Sequence, residues 1–325
     1  MAAAIIRSRL SASADPNSVL GSLLGPAFQA YRRAFEAAES GRRPEIPLHL
    51  DVDVTTACNL RCPMCPAGNE RHIFPGFKKG RFLDRPLYRA ALAEGRGFGL
   101  PSIRLGMTGE PLLIRDIEDW AEEAREAGVL DISLITNGAF LTPEKSRALI
   151  KAGLSRLMIS VDAGSDNAYA RVRPGGDWAM LLNNITAFRR IRAEMRSKLP
   201  LLRISFVEMS LNCGESEKFQ EIFEPLADYL SFQRYQNILG RSETDFLPKQ
   251  SCARQGRALC TEPLTRLALH VDGSLFPCCS DFGRLKPIGH INSGGLLATW
   301  KSQAAEALAG RDGQQAEPCR SCLAG

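Results

Sequence analysis

The chain has 325 residues, of which 44% are apolar and 24% charged. That balance supports a substantial core and excludes a wholly disordered, collagen-like or coiled-coil chain. The 41 Lys and Arg against 36 Asp and Glu leave a net charge of +5, too weak to argue for nucleic acid but suited to an anionic substrate or redox partner. Ten cysteines are the unusual feature. The short apolar run Ala2–Ile6 precedes Arg7 and Arg9, which is not the layout of a secretory signal. No stretch approaches 18 uninterrupted apolar residues, so no membrane span is expected. These readings point to a cytoplasmic protein, where clustered thiols bind metal or do redox chemistry.

Residues 1–46 read as a helical lead-in, with Val19, Leu20, Leu23, Leu24, Phe28, Tyr31 and Phe35 at helical spacing. A helix packed on the outside of the core is favoured there over a lid or partner surface. From residue 47 to 236 strands and helices alternate. Leu48, Leu50, Val52 and Val54 mark the first strand, and further strands are predicted at Ser102–Gly106, Asp131–Ile135, Leu157–Val161, Leu202–Met209 and Tyr229–Tyr235. Helices are predicted at Leu87–Glu94, Ile114–Glu126, Pro143–Ala152, Met180–Glu194 and Glu215–Ala227. This is an α/β chain of parallel βαβ units, a barrel or a doubly wound sheet, with chemistry at the C-terminal strand ends. Residues 237–325 hold six of the ten cysteines and one long helix, Leu296–Leu308, and read as a small separate domain built around metal.

Cys58, Cys62 and Cys65 form a CxxxCxxC loop just past the first strand. Three thiolates can hold three irons of a [4Fe–4S] cluster and leave the fourth open to a small molecule. A structural zinc normally takes four protein ligands, so zinc fits less well. In this position the loop resembles that of the radical S-adenosyl-L-methionine (SAM) superfamily. The resemblance implies a partial (β/α)6 barrel that binds SAM at the open iron and cleaves it to a 5′-deoxyadenosyl radical. Thr108-Gly109-Glu110-Pro111 then resembles the family's Gly-Gly-Glu motif for the SAM amino group, with Thr108 in place of the first Gly. Thr136 and Asn137 match a Thr-Asn-Gly segment, and Ser160 and Asp162 a Ser-x-Asp contact to the SAM carboxylate or ribose. Arg173 lies where relatives place an Arg near the carboxylate. Met64 stands where many members have an aromatic residue.

Cys260, Cys278, Cys319 and Cys322 are four candidate ligands of a second site, with Asp272-Gly273 forming a hairpin turn between the first two. Cys279 is the alternative to Cys278. On residue types alone four-Cys zinc and an iron–sulfur cluster are even. The pattern resembles the SPASM/twitch domain of many radical SAM enzymes, including Ile288-Gly289-His290-Ile291 and Leu296 to Trp300, in its shorter form with one auxiliary cluster. Two [4Fe–4S] clusters and SAM are therefore the expected cofactors, with flavodoxin or ferredoxin as electron donor. The layout resembles that of the 2-deoxy-scyllo-inosamine dehydrogenases, twitch enzymes that oxidise an aminocyclitol alcohol to a ketone. The expected function is accordingly a radical oxidoreductase acting on a sugar or aminocyclitol-like small molecule. Redox-neutral epimerisation or dehydration, or peptide modification, are the alternatives, and a non-catalytic metal protein comes last. The catalytic candidates are Glu208 and Arg234 at the ends of the fifth and sixth strands, and Cys213 or Cys252 as a hydrogen donor. The four histidines, His49, His72, His270 and His290, show no ligand spacing. There is no room for a cobalamin domain, and residues 1–46 are too short for a leader-peptide-binding domain.

Overall fold

The computed structural model describes residues 9–65, 67–68, 77–235, 246, 260–281, 286–310, 313–315 and 319. In chain order the elements are β1 (Arg9–Ala12), α1 (Pro16–Leu24), α2 (Pro26–Glu39), β2 (His49–Val52), α3 (Arg85–Phe98), β3 (Ser102–Leu105), α4 (Ile117–Glu126), β4 (Asp131–Thr136) and α5 (Pro143–Ala152). They continue with β5 (Arg156–Ser160), α6 (Asp166–Val172), α7 (Trp178–Glu194), β6 (Leu201–Glu208), α8 (Ser216–Phe223) and β7 (Tyr229–Arg234). Then follow β8 (Arg266–Leu269), β9 (Ser274–Phe276), β10 (Gly289–His290), α9 (Gly295–Trp300) and α10 (Gln303–Ala309).

All ten strands form one sheet in the order β1-β7-β6-β5-β4-β3-β2-β8-β9-β10. Each neighbouring pair from β2 to β7 is parallel, so all six strands end at the same rim. The run does not close on itself, because β8 takes the free edge of β2 and β1 that of β7. The six-strand expectation stands, with boundaries within two residues.

Strand alternation gives the sheet two different faces. Leu50, Val52, Ile103, Leu105, Leu134, Leu157, Ile159, Leu202 and Ile204 face the helices and pack with Tyr88, Trp120, Leu149, Ile185 and Phe188. The other face carries Asp51, Arg104, Ser133, Arg156, Arg203 and Ser231, a polar interior. Local signals start and stop the helices. In α5, for example, Thr142 Oγ1 accepts from the Lys145 amide at 3.2 Å, Pro143 opens the first turn, and Gly153 closes the helix at φ 88°.

Three parts of the chain depart from the sequence reading. The lead-in is not wholly helical: β1 pairs antiparallel with β7, a four-residue edge strand whose pairing comes from β7's open backbone rather than from its own pattern. Its helices pack outside the main core, as a separate cluster at the base of the sheet. Leu20, Phe28 and Tyr31 pack with Leu48, Leu201 and Tyr229, which begin or precede β2, β6 and β7, and so plug the base of the sheet. The predicted helix Leu296–Leu308 is two helices, α10 restarting where Ser302 Oγ accepts from the Ala305 amide at 3.2 Å.

The C-terminal segment, read as separate, continues the same sheet. His49, Leu50, Asp51 and Val52 pair with Arg266, Leu267, Ala268 and Leu269. Helix packing reinforces this edge. Glu94 of α3 accepts from the Leu296 and Leu297 amides at 2.6 and 2.9 Å, capping α9, and Trp300 Nε1 donates to Pro44 O at 3.0 Å. Losing such a cap costs about 1–2 kcal/mol. Glu94→Ala is expected to lower the melting temperature by about 2–6 °C in a thermal scan, with Glu94→Gln falling in between.

Candidate active site

The rim where β2 to β7 end surrounds a cavity of about 380 Å³. Every one of the six strands contributes: Cys58, Cys62 and Cys65 after β2, Met107 to Glu110 after β3, Ile135 to Asn137 from β4, Ser160 and Asp162 from β5, Val207 and Met209 from β6, and Gln233 to Tyr235 from β7. Arg173, from the loop after α6, completes it. Thus the cysteine trio and all eight predicted SAM contacts stand around one cavity.

Hydrogen bonds fix this rim. The Gly109 and Glu110 amides donate to Thr55 O and Ala57 O at 3.0 and 2.8 Å, pinning the β3 loop against the start of the cysteine loop. A Cβ on Gly109 would fall 2.4 Å from both carbonyl oxygens, which is why the position takes glycine. Thr108 Oγ1 donates to Asp53 Oδ1 at 2.7 Å. Buried Glu110 accepts three bonds: from the Leu112 amide at 3.0 Å, Thr136 Oγ1 at 2.6 Å and the Asn137 amide at 2.7 Å. A carboxylate has about four acceptor sites, so one remains for a ligand ammonium. Burial raises the Glu110 pKa, and these bonds oppose the rise.

On the opposite side Asp162 turns the chain with φ 61°, an uncommon conformation for a residue with a side chain. Its Oδ1 accepts from the Val207 amide at 2.8 Å, Oδ2 pairs with Arg173 Nη2, and its carbonyl accepts from Asn212 Nδ2 at 2.9 Å. Arg173 is therefore a partner of Asp162 as well as a cavity residue. Its Nη1 lies 3.9 Å from Cys62 Sγ, and Nε donates to Val161 O at 3.2 Å.

The three sulfurs sit among donors. Leu60 N lies 3.5 Å from Cys58 Sγ, and Asn137 Nδ2 lies 3.9 Å from the same sulfur while donating to Asn59 Oδ1 at 2.8 Å. Burial pushes the Cys62 thiol up to about 12, and Arg173 pulls against that rise. Burial also raises Cys58 and Cys65, the latter opposed by the Ala67 and Gly68 amides. Thiols of this kind surrender their protons when metal binds. Each cysteine of a cubane cluster takes a different iron, so three thiolates lining one cavity fit such a cluster with its fourth iron open.

At the second cysteine group, Cys278 is buried and lies in electrostatic range of Cys260, while the neighbours of Cys279 are Asp51, Arg104 and Arg266 of the sheet interior. Gln314 brackets Cys260, accepting from its amide at 2.7 Å and donating to its carbonyl at 2.8 Å. Cys319 is buried. Cys322 and Cys252 lie outside the described residues.

Other candidates are not brought to the cavity. Glu208 is exposed, one residue out of phase with Val207 and Met209 and so on the opposite strand face; Cys213 is exposed and absent from the lining. Arg234 does line it. Asp53, Asn212 and Tyr235 belong to the site and were not foreseen. Of these, only Asp53 left a mark in the sequence, as a polar position, like His49 and Asp51, alternating with Leu50, Val52 and Val54.

Residues 52–201 match the radical SAM superfamily, and residues 260–323 the SPASM iron–sulfur cluster-binding domain. The chain carries a radical SAM domain followed by a C-terminal SPASM domain. These domains imply SAM, its [4Fe–4S] cluster and auxiliary iron–sulfur binding. Curated relatives include the GTP 3′,8-cyclase of Limosilactobacillus fermentum, 33% identical over 42% of this chain and 40% of that protein, and the probable GTP 3′,8-cyclase of Methanocaldococcus jannaschii, 28% identical over 53% of each. The chain thus spans about half the length of the curated relatives it matches. Solved structures that share the fold include three of known ligand state. BtrN in complex with AdoMet and 2-DOIA has TM-score 0.55 and 16% identity, covering 85% of this chain and 93% of that one. Streptococcus suis SuiB bound to precursor peptide SuiA has TM-score 0.64 and 14% identity, with coverage of 91% and 74%. Native anSMEcpe with bound AdoMet has TM-score 0.61 and 15% identity, with coverage of 81% and 82%. Among the described residues no helix is long and apolar enough to cross a membrane.

The close approach at Gly109 makes a sharp test. Gly109→Ala is expected to weaken SAM binding at least about tenfold in calorimetry and to lower the melting temperature. Gly97→Ala, where a Cβ meets nothing within 4 Å, should leave both unchanged or raise the melting temperature slightly.

Proposed function

We propose that this chain is a radical SAM oxidoreductase that removes hydrogen from a small polar molecule entering the rim cavity. The observation that carries this reading is the attachment of the auxiliary cysteines to the barrel. Cys260 and Cys278 flank β8 and β9, which continue the barrel's sheet, and Cys279, next to Cys278, has Arg104 and Arg266 of the interior as neighbours. An electron leaving a substrate in the barrel would have an acceptor close at hand. When bound, the cofactors supply a 5′-deoxyadenosyl radical, and an auxiliary cluster at Cys260, Cys278, Cys319 and Cys322 takes up one electron.

The chain's own residues do the positioning. Cys58, Cys62 and Cys65 hold the first cluster, with Arg173 and Asn137 directing N–H groups at Cys62 and Cys58. The free acceptor site of Glu110, with Thr108 and Gly109, receives the SAM amino group. Ser160, Asp162 and Thr136 shape the other wall. Tyr235, held edge-on to Phe246 at 5.7 Å, and Met64 offer the apolar surface that an adenine needs. Arg234, exposed at the rim beside its register partner Glu208, lines the cavity and is placed to grip a polar substrate, whereas Glu208 is not among the lining residues.

A second reading is redox-neutral cyclisation or rearrangement, favoured by the GTP 3′,8-cyclase names of the curated relatives. Those matches cover about half of each protein, so the substrate does not follow from them. Product analysis separates the two. Incubation in deuterium oxide with sugars, aminocyclitols, nucleotides and peptides should give one 5′-deoxyadenosine per oxidised product, with a new carbonyl and no solvent deuterium on its carbon. An isomer or cyclised product of unchanged oxidation state, or deuterium at an inverted carbon, would contradict the oxidoreductase reading.

A further inference from the structure

Beneath the rim cavity the interior of the sheet is lined with guanidinium groups. Arg104 of β3, Arg156 of β5, Arg203 of β6 and Arg266 of β8 are all partly buried there. Three carboxylates answer them. Asp51 Oδ1 lies 2.7 Å from Arg104 Nη2, and Asp51 Oδ2 lies 3.4 Å from Arg266 Nη1. Asp131 Oδ1 meets Arg156 Nε at 3.0 Å, and Glu262 Oε2 meets Arg266 Nε at 2.7 Å. Arg203 forms no ion pair with any described carboxylate. Its Nε donates to Ser231 Oγ at 2.7 Å, and its Nη1 lies 3.3 Å from Met158 Sδ. A hydroxyl and a thioether bring no negative charge. Nor does this cation sit comfortably: burial pulls its pKa down, Tyr229 opposes that, and Arg104 and Arg156 add to the fall.

The guanidinium is also directed. Ser231 pairs with Ser205, two residues beyond Arg203 towards the rim, and Val207 and Gln233, one step further, line the cavity. From below, access is closed by the lead-in helices, where Arg156 Nη2 donates to Asn17 Oδ1 at 2.8 Å and Tyr31 packs against Leu201 and Tyr229. The rim side is therefore the route by which an anion would reach Arg203.

We propose that Arg203 anchors an anionic group of the substrate, a carboxylate or a phosphate, that reaches into the barrel beneath the SAM pocket. The planar fork of a guanidinium suits either anion, since both accept two parallel N–H bonds. The proposal rests on the reading of the rim cavity as the substrate entrance and narrows the substrate to an anionic one. It also accounts for a cation kept among like charges, because an isolated buried charge is costly unless a partner arrives.

The test is thermal melting of the reconstituted full chain at fixed ionic strength, with sodium chloride exchanged stepwise for sodium phosphate, pyrophosphate or acetate. The wild type should melt higher with rising anion, in a saturable manner. A response to phosphate or pyrophosphate alone identifies a phosphoryl group, and one to acetate alone a carboxylate. Arg203→Met should melt above the wild type without anion and gain nothing from it, while Arg203→Lys keeps a weaker response. Equal anion responses in wild type and Arg203→Met, no response in the wild type, or an Arg203→Met chain less stable than wild type without anion would overturn the proposal. Substrate-free SAM cleavage to 5′-deoxyadenosine should persist in both variants. Its loss in the wild type as well would strike the radical SAM reading instead.

Discussion

Glu110 is 2% exposed and spends three of its acceptor sites on the protein, joining the end of β3 to the end of β4. Much of the rim depends on that carboxylate. Asn137, whose amide it holds, reaches across to Asn59 and Cys58 and so connects β4 to the cysteine loop. Gly109, one residue earlier, lies flat against Thr55 and Ala57 on the same loop. Asp162 does the corresponding work on the far side, tying β5 to β6 through Val207 and to Arg173 through an ion pair. Two buried carboxylates thus hold five strand ends in register around one cavity. Buried carboxylates of this kind are tolerated because each accepts several hydrogen bonds from the protein, and those bonds make the site rigid.

The rest of the architecture serves the asymmetry between rim and base. Parallel strands place every C-terminal end on one side, which is the usual location of chemistry in such sheets. The helices of the lead-in cover the other side with Leu20, Phe28 and Tyr31, and the polar interior lies beneath the cavity. Within that interior Asp51 is fully buried. Burial alone would raise its carboxyl pKa, but Arg104, His49 and Arg266 hold it well below the usual carboxylate range. Because Arg266 comes from β8, the same charge cluster also fastens the SPASM segment to the barrel. Fold stability and the placement of the auxiliary cysteines share one set of contacts.

Much of this was legible in the residues. The alternation of Leu50 and Val52 with polar neighbours, and the helical spacing between strands, reflect burial of one face and are local in sequence. The trio at Cys58, Cys62 and Cys65 is also local, and so was readable as a unit. What escaped was set by partners far along the chain. Arg9–Ala12 is a strand only because β7 offers an open edge, and α1 and α2 are a plug only because β6 and β7 begin beneath them at Leu201 and Tyr229. Nothing in residues 260–278 announces that Arg266–Leu269 pairs with β2. Glu208 was misplaced by a single residue of strand phase, which moves a side chain to the opposite face. Asn212 is an ordinary loop residue in sequence, yet it is 1% exposed and bonds Asp162 and Val207.

The central claim is that the rim cavity houses SAM and a cluster held by the cysteine trio. It is tested most directly by anaerobic reconstitution, reduction with dithionite and assay of 5′-deoxyadenosine, comparing the wild type with a chain in which Cys58, Cys62 and Cys65 are all alanine. The account predicts about eight irons per wild-type chain and ready SAM cleavage, against about four irons and no cleavage in the variant. Equal 5′-deoxyadenosine from both chains, or a wild type that binds stoichiometric zinc and leaves SAM intact, would contradict it.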